Sequence, residues 1–312
     1  VALAEPGSYV ARDAAGTPIV AVRGSDGRVR AFRNACRHRG AALAAGAGCA
    51  KAFVCRYHGW TYGLDGRLIH VPNEHGFPGL DKGARGLAPV AAEEAGGVVF
   101  VAQDGPVGAA RLGDLPEIIP SRYRLLAKSE LDVAANWKIA VEGFLEGYHI
   151  RTTHAQTFYP IQFDNLNVVE AFGSNSRITF PYRAIHKLRS VPREERSVDG
   201  KLTYVYHLFP NVMVATFPGR IIMVVLEPLA IDRTRFVTYT LSDRDPRDAE
   251  AQSALERGFN LVDSGAAEDR EVICAIQRSL GSGANEFFEF GLFEGAIGHF
   301  HRVLHAALDG RP

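Results

Sequence analysis

Cys36-Arg37-His38-Arg39-Gly40 and Cys55-Arg56-Tyr57-His58-Gly59-Trp60 are the two stretches on which the reading of this chain turns. Together they spell C-x-H, sixteen intervening residues, then C-x-x-H. Two thiolates and two imidazoles on two short loops suit one small metal centre. With thiolates on one iron and imidazoles on the other, that centre is a [2Fe–2S] cluster of mixed ligation. Tetrahedral zinc accepts the same donors. Zinc fingers, however, usually pair C-x2-4-C with H-x3-5-H rather than mixing Cys and His within each loop. A third reading is chance spacing of unrelated residues.

Outward from these loops, residues 9–102 read as short strands. Thr17 to Arg23 and Arg28 to Arg33 flank the turn Gly24-Ser25-Asp26-Gly27, and Tyr62 to Val71 folds back over Leu64-Asp65-Gly66. Gly97 to Ala102 reads as a last buried strand before a stretch rich in Gly, Pro and Asp. The expected division is a small β-domain at 1–104, a linker at 105–116 and a second domain at 117–312. That second part reads as a helix at Asn136 to Ile150 and strands near Val168–Ala184, Lys201–Leu208, Val212–Phe217, Arg220–Leu226 and Thr234–Leu241. A helix follows from Pro246 to Leu280, and another from Gly291 to Leu308. The fold class is therefore α+β.

The chain has 312 residues, with 35 Lys plus Arg balanced by 35 Asp plus Glu. That balance counts against a nucleic-acid binder. Cys36, Cys49, Cys55 and Cys274 are the only cysteines, so no disulfide framework is expected and a cytoplasmic location is. Apolar runs such as Ile221 to Leu226 are far shorter than the ~20 residues of a membrane helix. No signal peptide is read at Val1-Ala2-Leu3-Ala4, and what precedes Val1 stays open.

At about 100° per residue, Trp137, Val141, Phe144 and Tyr148 form an apolar stripe, and Glu142, Glu146 and His149 group on the other side. The bland alternative is a solvated face. Gly143 and Gly147, each costing ~1 kcal/mol in a helix, argue instead for close approach of another backbone. His154 lies about 140° beyond His149, so both reach one metal only if the helix unwinds near Thr152-Thr153. Two histidines and a carboxylate make the facial triad of non-haem Fe(II) oxygenases. Asp269 falls at the centre of the stripe Val272, Ile273, Ile276 and Leu280, whereas Glu268 points about 95° away and is expected to matter little. The alternative for Asp269 is a buried acid satisfied by an arginine or backbone amide.

The pair C-R-H-R-G and C-x-Y-H-G-W-x-Y resembles the Rieske domain of the ring-hydroxylating non-haem iron oxygenases. Respiratory Rieske proteins usually add a cysteine to each loop, and here Gly40 and Thr61 follow in those stretches. Asn136-Trp137-Lys138, Glu142-Gly143-Phe144-Leu145-Glu146-Gly147-Tyr148-His149 with His154, and Glu268-Asp269…Gln277-Arg278 resemble the signatures of the oxygenase α subunits. The resemblance implies an N-terminal all-β Rieske [2Fe–2S] domain followed by a helix-grip catalytic domain. It implies cluster ligands Cys36, His38, Cys55 and His58, mononuclear iron ligands His149, His154 and Asp269, and Glu146 as the bridging acid. Gly143 stands in the usual Asn position. Glu146 replaces the usual Asp and resembles the carnitine-monooxygenase-like branch.

By this resemblance the chain is the terminal component of a multi-component mono- or dioxygenase. It would use O2 and electrons from a separate reductase, directly or through a ferredoxin, on a small organic substrate. No dinucleotide loop is present, so NAD(P)H would act only through that reductase. A homotrimer is implied, in which His58 of one chain meets a free oxygen of Glu146 on the next. The alternatives are a non-enzymatic Rieske electron carrier fused to a ligand-binding domain, and a zinc-stabilised binding protein. Tyr148, Phe158, Tyr159, Phe163, Phe180, Tyr182, Tyr204 and Tyr206 are candidate pocket aromatics, and Arg183 and Arg220 are candidate anchors for an aromatic acid. A quaternary ammonium substrate would want aromatic rings instead.

Overall fold

The computed structural model describes residues 2–14, 16–103, 105–108, 112–244 and 249–310, with the backbone alone for 249–259. The chain divides into two compact units, residues 1–108 and 109–312. No helix among the described residues is long and apolar enough to cross a membrane.

The first unit is built from β1 (Ser8–Ala14), β2 (Thr17–Arg23), β3 (Val29–Arg33), β4 (Ala47–Cys49), β5 (Phe53–Val54), β6 (Thr61–Tyr62), β7 (Leu68–His70), β8 (Pro89–Ala95) and β9 (Val98–Ala102). Six strands form an antiparallel sheet in the order β4-β1-β2-β3-β8-β9, and β5-β6-β7 form a smaller one. Strand alternation gives β2 two buried faces. Val20 and Val22 join Phe32, Trp60, Tyr62 and the two buried cysteines, while Ile19 packs with Ala31 and Val90. Each such full burial contributes about 1.5–3 kcal/mol. The fold-back expected from Tyr62 to Val71 is present as the antiparallel pair β6 and β7, and Asp65 accepts the Arg67 backbone N–H in the turn between them.

The second unit holds β10 (Arg124–Val133), α1 (Trp137–Phe144), α2 (Ile150–Thr153), β11 (Val168–Phe172), β12 (Asn175–Pro181), β13 (Leu202–Leu208), β14 (Val212–Phe217), β15 (Arg220–Ala230), β16 (Arg233–Ser242), α3 (Ala249–Leu280) and α4 (Gly295–Leu308). Its seven-stranded antiparallel sheet runs β10-β16-β15-β14-β13-β12-β11. The core gathers Leu145, Ile178, Met213, Leu226, Ile273 and Phe300 from sheet and helices. Three expectations need correction. The strand at 168–184 is a hairpin turning at Gly173, β10 was not anticipated, and α4 begins at Gly295, after a 3-10 turn at Leu292–Glu294. The expected start of the preceding helix, Pro246, lies outside the described residues.

The helix expected to run to Ile150 stops at Phe144. Its start is capped by Asn136, whose side chain accepts the Lys138 N–H at 2.9 Å. The Asn136 N–H donates to Gln277 of α3 at 2.8 Å. Its end comes earlier than the threonines suggest, because the Glu146 carboxylate accepts the backbone N–H groups of Tyr148 and His149 and offers an alternative to continued helix. Tyr148, counted in the apolar stripe, is consequently 60% exposed. No backbone crowds the two glycines: a Cβ at Gly147 would meet the Phe180 ring, and one at Gly143 only Ile273.

His207 on β13 is fully buried, donates from Nε2 to the Pro210 carbonyl at 3.0 Å, and leaves Nδ1 unpartnered. Burial, aided by His299 and opposed by the Pro210 bond, pushes its pKa from 6.5 down to about 4. The unfolded chain therefore takes up a proton that the folded one refuses. Stability from His207 is complete above about pH 6.5 and is lost as pH falls toward 4. Denaturant unfolding from pH 7.5 to 4.5 should show this fall, and His207→Gln should flatten it.

Candidate metal centres and substrate cavity

In the first unit, the two ligand loops repeat one device. The Gly40 N–H donates to the Cys36 carbonyl at 2.8 Å, and the Gly59 N–H to the Cys55 carbonyl at 2.9 Å. Both glycines have positive φ, 81° and 74°, which lets each loop close under its cysteine. Asn34 pins the first loop, accepting from the Leu43 and Ala44 N–H groups. Cys36 and Cys55 are buried, and the His38 and His58 rings lie 4.7 Å apart. His38 stacks on Trp60, and its Nδ1 is buried without a hydrogen-bond partner. Burial, then the neighbouring His58 and Arg39, disfavours a proton on His38. A buried ring nitrogen without a hydrogen-bond partner, on loops that also bury two cysteines, is the donor chemistry of a metal site, so these residues fit a [2Fe–2S] cluster. His58 is exposed and stacked under Tyr57.

Tyr62 supplies the outer contact. Its hydroxyl accepts the Arg37 N–H at 2.9 Å, which leaves its own proton for Cys36 Sγ at 3.3 Å. Hydrogen bonds to cluster sulfurs favour the reduced state.

In the second unit, His149 follows the broken end of α1 and His154 follows α2. Their Nε2 atoms lie 3.2 Å apart. Asp269 Oδ1 on α3 is 2.9 Å from the Nε2 of His154 and 3.5 Å from that of His149. Each ring is held from behind by a carboxylate. His149 Nδ1 donates to Glu146 Oε1, and His154 Nδ1 donates to Glu268 Oε2 at 2.7 Å. Those bonds place the protons on Nδ1, so two Nε2 lone pairs face each other beside a carboxylate. Such an arrangement needs a cation, and the three donors fit one metal ion. Burial opposes a proton on His154, yet the bonds and charges of Asp269 and Glu268 outweigh it and raise its pKa.

The triad opens on a cavity of 1210 Å³. Phe158, Phe180, Phe217, Ile222, Val224 and Phe236 line it with Thr203, Thr238 and Gln162. Phe158 meets His154 edge-on at 4.8 Å, and α3 makes room for it with Gly265, where any Cβ would overlap the ring. The irregular stretch 282–294 forms another part of the wall through Phe288 and Phe290.

The structure thus gathers donor atoms of His149, His154 and Asp269, and in the first unit it buries Cys36 and Cys55 and sets the His38 and His58 rings together. Of the candidate pocket aromatics, Phe158 and Phe180 line the cavity, while Tyr148, Tyr159, Phe163, Tyr182, Tyr204 and Tyr206 are not on its wall. Val272 and Leu280 face the cavity and are about as exposed as a surface residue, so the stripe on α3 is buried only in part. Glu268 is no bystander: it holds His154 and accepts the Thr157 hydroxyl at 2.7 Å. Burial works to raise its pKa, and those two bonds outweigh it and lower it. The second oxygen of Glu146, expected to be free, accepts two backbone N–H groups.

The Rieske [2Fe-2S] domain model matches residues 2–82, and the model for the ring hydroxylating alpha subunit (catalytic domain) matches 120–310. The chain belongs to this family of Rieske oxygenase alpha subunits. It is 29% identical over 330 residues to the carnitine monooxygenase oxygenase subunit of Escherichia coli (strain K12), covering 97% of this chain and 84% of the relative. It is 30% identical over 317 residues to the large oxygenase component of the naphthalene 1,2-dioxygenase system of Pseudomonas fluorescens, covering 85% and 70%. A solved quaternary ammonium Rieske monooxygenase superposes with TM-score 0.80 at 24% identity, over 98% of this chain and 86% of that one. The protein is an oxygenase component that carries a Rieske cluster and a mononuclear iron and works with a separate reductase.

Tyr62→Phe should lower the reduction potential of the cluster, read by redox titration of its absorbance, with the protein still folded and coloured. Glu268→Ala should weaken iron binding in the second unit roughly 10–100-fold, measured by chelator competition, and leave the cluster spectrum intact.

Proposed function

We propose that the chain oxygenates a small substrate bearing a quaternary-ammonium group, with Cys36, His38, Cys55 and His58 holding the cluster and His149, His154 and Asp269 the iron. The observation that carries the substrate class is the wall of the cavity. The arginines that would anchor an aromatic acid are elsewhere: Arg183 donates to the Tyr159 carbonyl at 3.1 Å, and Arg220 packs against Phe217. Among the described residues, Arg270 is the arginine on the wall, against seven phenylalanines. Aromatic rings attract a quaternary cation without requiring a counter-charge. The carnitine-oxidising relative supports the same class.

When bound, the cluster passes single electrons and the iron activates dioxygen. The chain's own residues hold the Nδ1 protons of His149 and His154 on Glu146 and Glu268, so that both rings present lone pairs to the cavity side. Phe158 and its apolar neighbours exclude water. Glu146 accepts three hydrogen bonds, leaving one lone pair on Oε1 of the about four a carboxylate offers. In a homotrimer that position would receive the partner subunit's His58. The domain limits proposed are 1–104 and 117–312.

Oxygen uptake with a compatible reductase tests this reading. Carnitine, choline and glycine betaine should stimulate uptake, and benzoate and naphthalene should not. The reverse order would move the protein to the arene class. Metal analysis should give about three irons per chain, and two would favour the electron carrier.

A further inference from the structure

The cavity wall carries carboxylates that the metal triad does not use, Glu142 among them. Glu142 on α1 lines the cavity with its side chain 14% exposed, and it accepts a hydrogen bond from Nε2 of His301 on α4 at 2.8 Å. The His301 ring lies against Phe290 and Phe300, and its side chain is 38% exposed. A part-exposed imidazole, a mostly buried carboxylate and the cavity are therefore joined by one hydrogen bond. Burying a carboxylate is costly, and as a mere fastening between α1 and α4 an apolar pair would serve as well.

The oxygenase reaction gives such a line a task. Inserting one atom of O2 into a C–H bond, with the other leaving as water, consumes two electrons and two protons. Adding both atoms across a double bond consumes the same. The reductase supplies the electrons, and the protons must be delivered to the cavity.

We infer that the Glu142–His301 pair is the proton entry of the catalytic cavity. His301 takes a proton from solvent at Nδ1 as its Nε2 proton passes to Glu142. Glu142 then releases that proton to water in the cavity and returns to the carboxylate, and exchange with solvent restores the imidazole tautomer. Burial raises the Glu142 pKa, and the bond and charge of His301, with the charge of Lys138, offset only part of this. A proton affinity closer to neutrality suits a relay better than that of an ordinary glutamate. The other charged or titratable groups on the same wall are Glu130 on β10, Glu146, His149 and His154 after α1, Asp263, Asp269 and Arg270 on α3, and Glu289 and Glu294 ahead of α4.

The inference rests on the oxygenase reading, and two measurements separate their fates. With wild-type turnover established, His301→Gln keeps a hydrogen-bond donor but removes the shuttle. Turnover should fall about tenfold or more and its solvent deuterium isotope effect should grow. Reductase-driven cluster reduction and substrate affinity should stay unchanged. In His301→Gly, free imidazole should restore rate, with wild type at the same imidazole concentration as the reference. Unchanged turnover and isotope effect, or a loss that imidazole does not relieve, overturns the proposal. Independently, infrared titration of the metal-free protein should show a carboxylic acid band persisting above the ordinary glutamate range. That band should be absent in Glu142→Gln and shifted to higher pH in His301→Gln. A Glu142 that titrates as an ordinary glutamate defeats the relay even where no substrate has been found. Failure of every substrate in wild type with an infrared band as expected defeats the oxygenase reading instead.

Discussion

Two imidazole lone pairs pointed at one another across 3.2 Å are the constraint that organises the catalytic unit. Without a cation between them they repel, and the nearby Asp269 adds negative charge rather than a proton. The fold imposes the arrangement from three sides. Glu146 ends α1 and turns His149 inward, Glu268 fixes His154, and α3 carries both Glu268 and Asp269. The Asn136 to Gln277 bond ties the start of α1 to that same helix. Residues outside the donor set thus determine whether the three donors meet.

The two metal sites solve different problems. In the Rieske unit, ligands come in pairs on tight loops, so geometry is local and glycine supplies the turn. In the catalytic unit, the ligands come from a broken helix, a short helix and a residue more than a hundred positions away, so geometry depends on packing. The first site leaves an imidazole exposed, whereas the second faces a cavity lined largely by apolar side chains. Electron passage needs proximity alone, while selective oxygenation needs a shaped cavity that limits water.

This difference decides what was readable from the residues. C-x-H and C-x-x-H announce their chemistry because local spacing builds the site. Strand alternation likewise marked β2, β14 and most of β13. A helical wheel puts the break in α1 at the threonines because it assumes that the helix continues, and it takes no account of a glutamate capping the backbone ahead of it. The same assumption sent Glu268 away from His154, although only the tertiary approach of α2 to α3 brings the two together. Alternation does not mark β10, because all of it but Val133 is exposed, with Arg124, Lys128 and Glu130 along it. Glu142 looked like part of a polar face, and its partner His301 lies 159 residues further on.

The stretch 282–294 belongs to neither the sheet nor the helices, yet it supplies Phe288 and Phe290 to the cavity. Sheet strands are locked by register, since a one-residue slip reverses every side chain. An irregular segment carries no such penalty and tolerates changes in length as well as composition. The chain therefore separates what must be inherited unchanged, the metal-binding frame, from what is free to drift. New substrate ranges are accessible to evolution by rewriting about a dozen residues of one connection, with the oxygen chemistry left undisturbed.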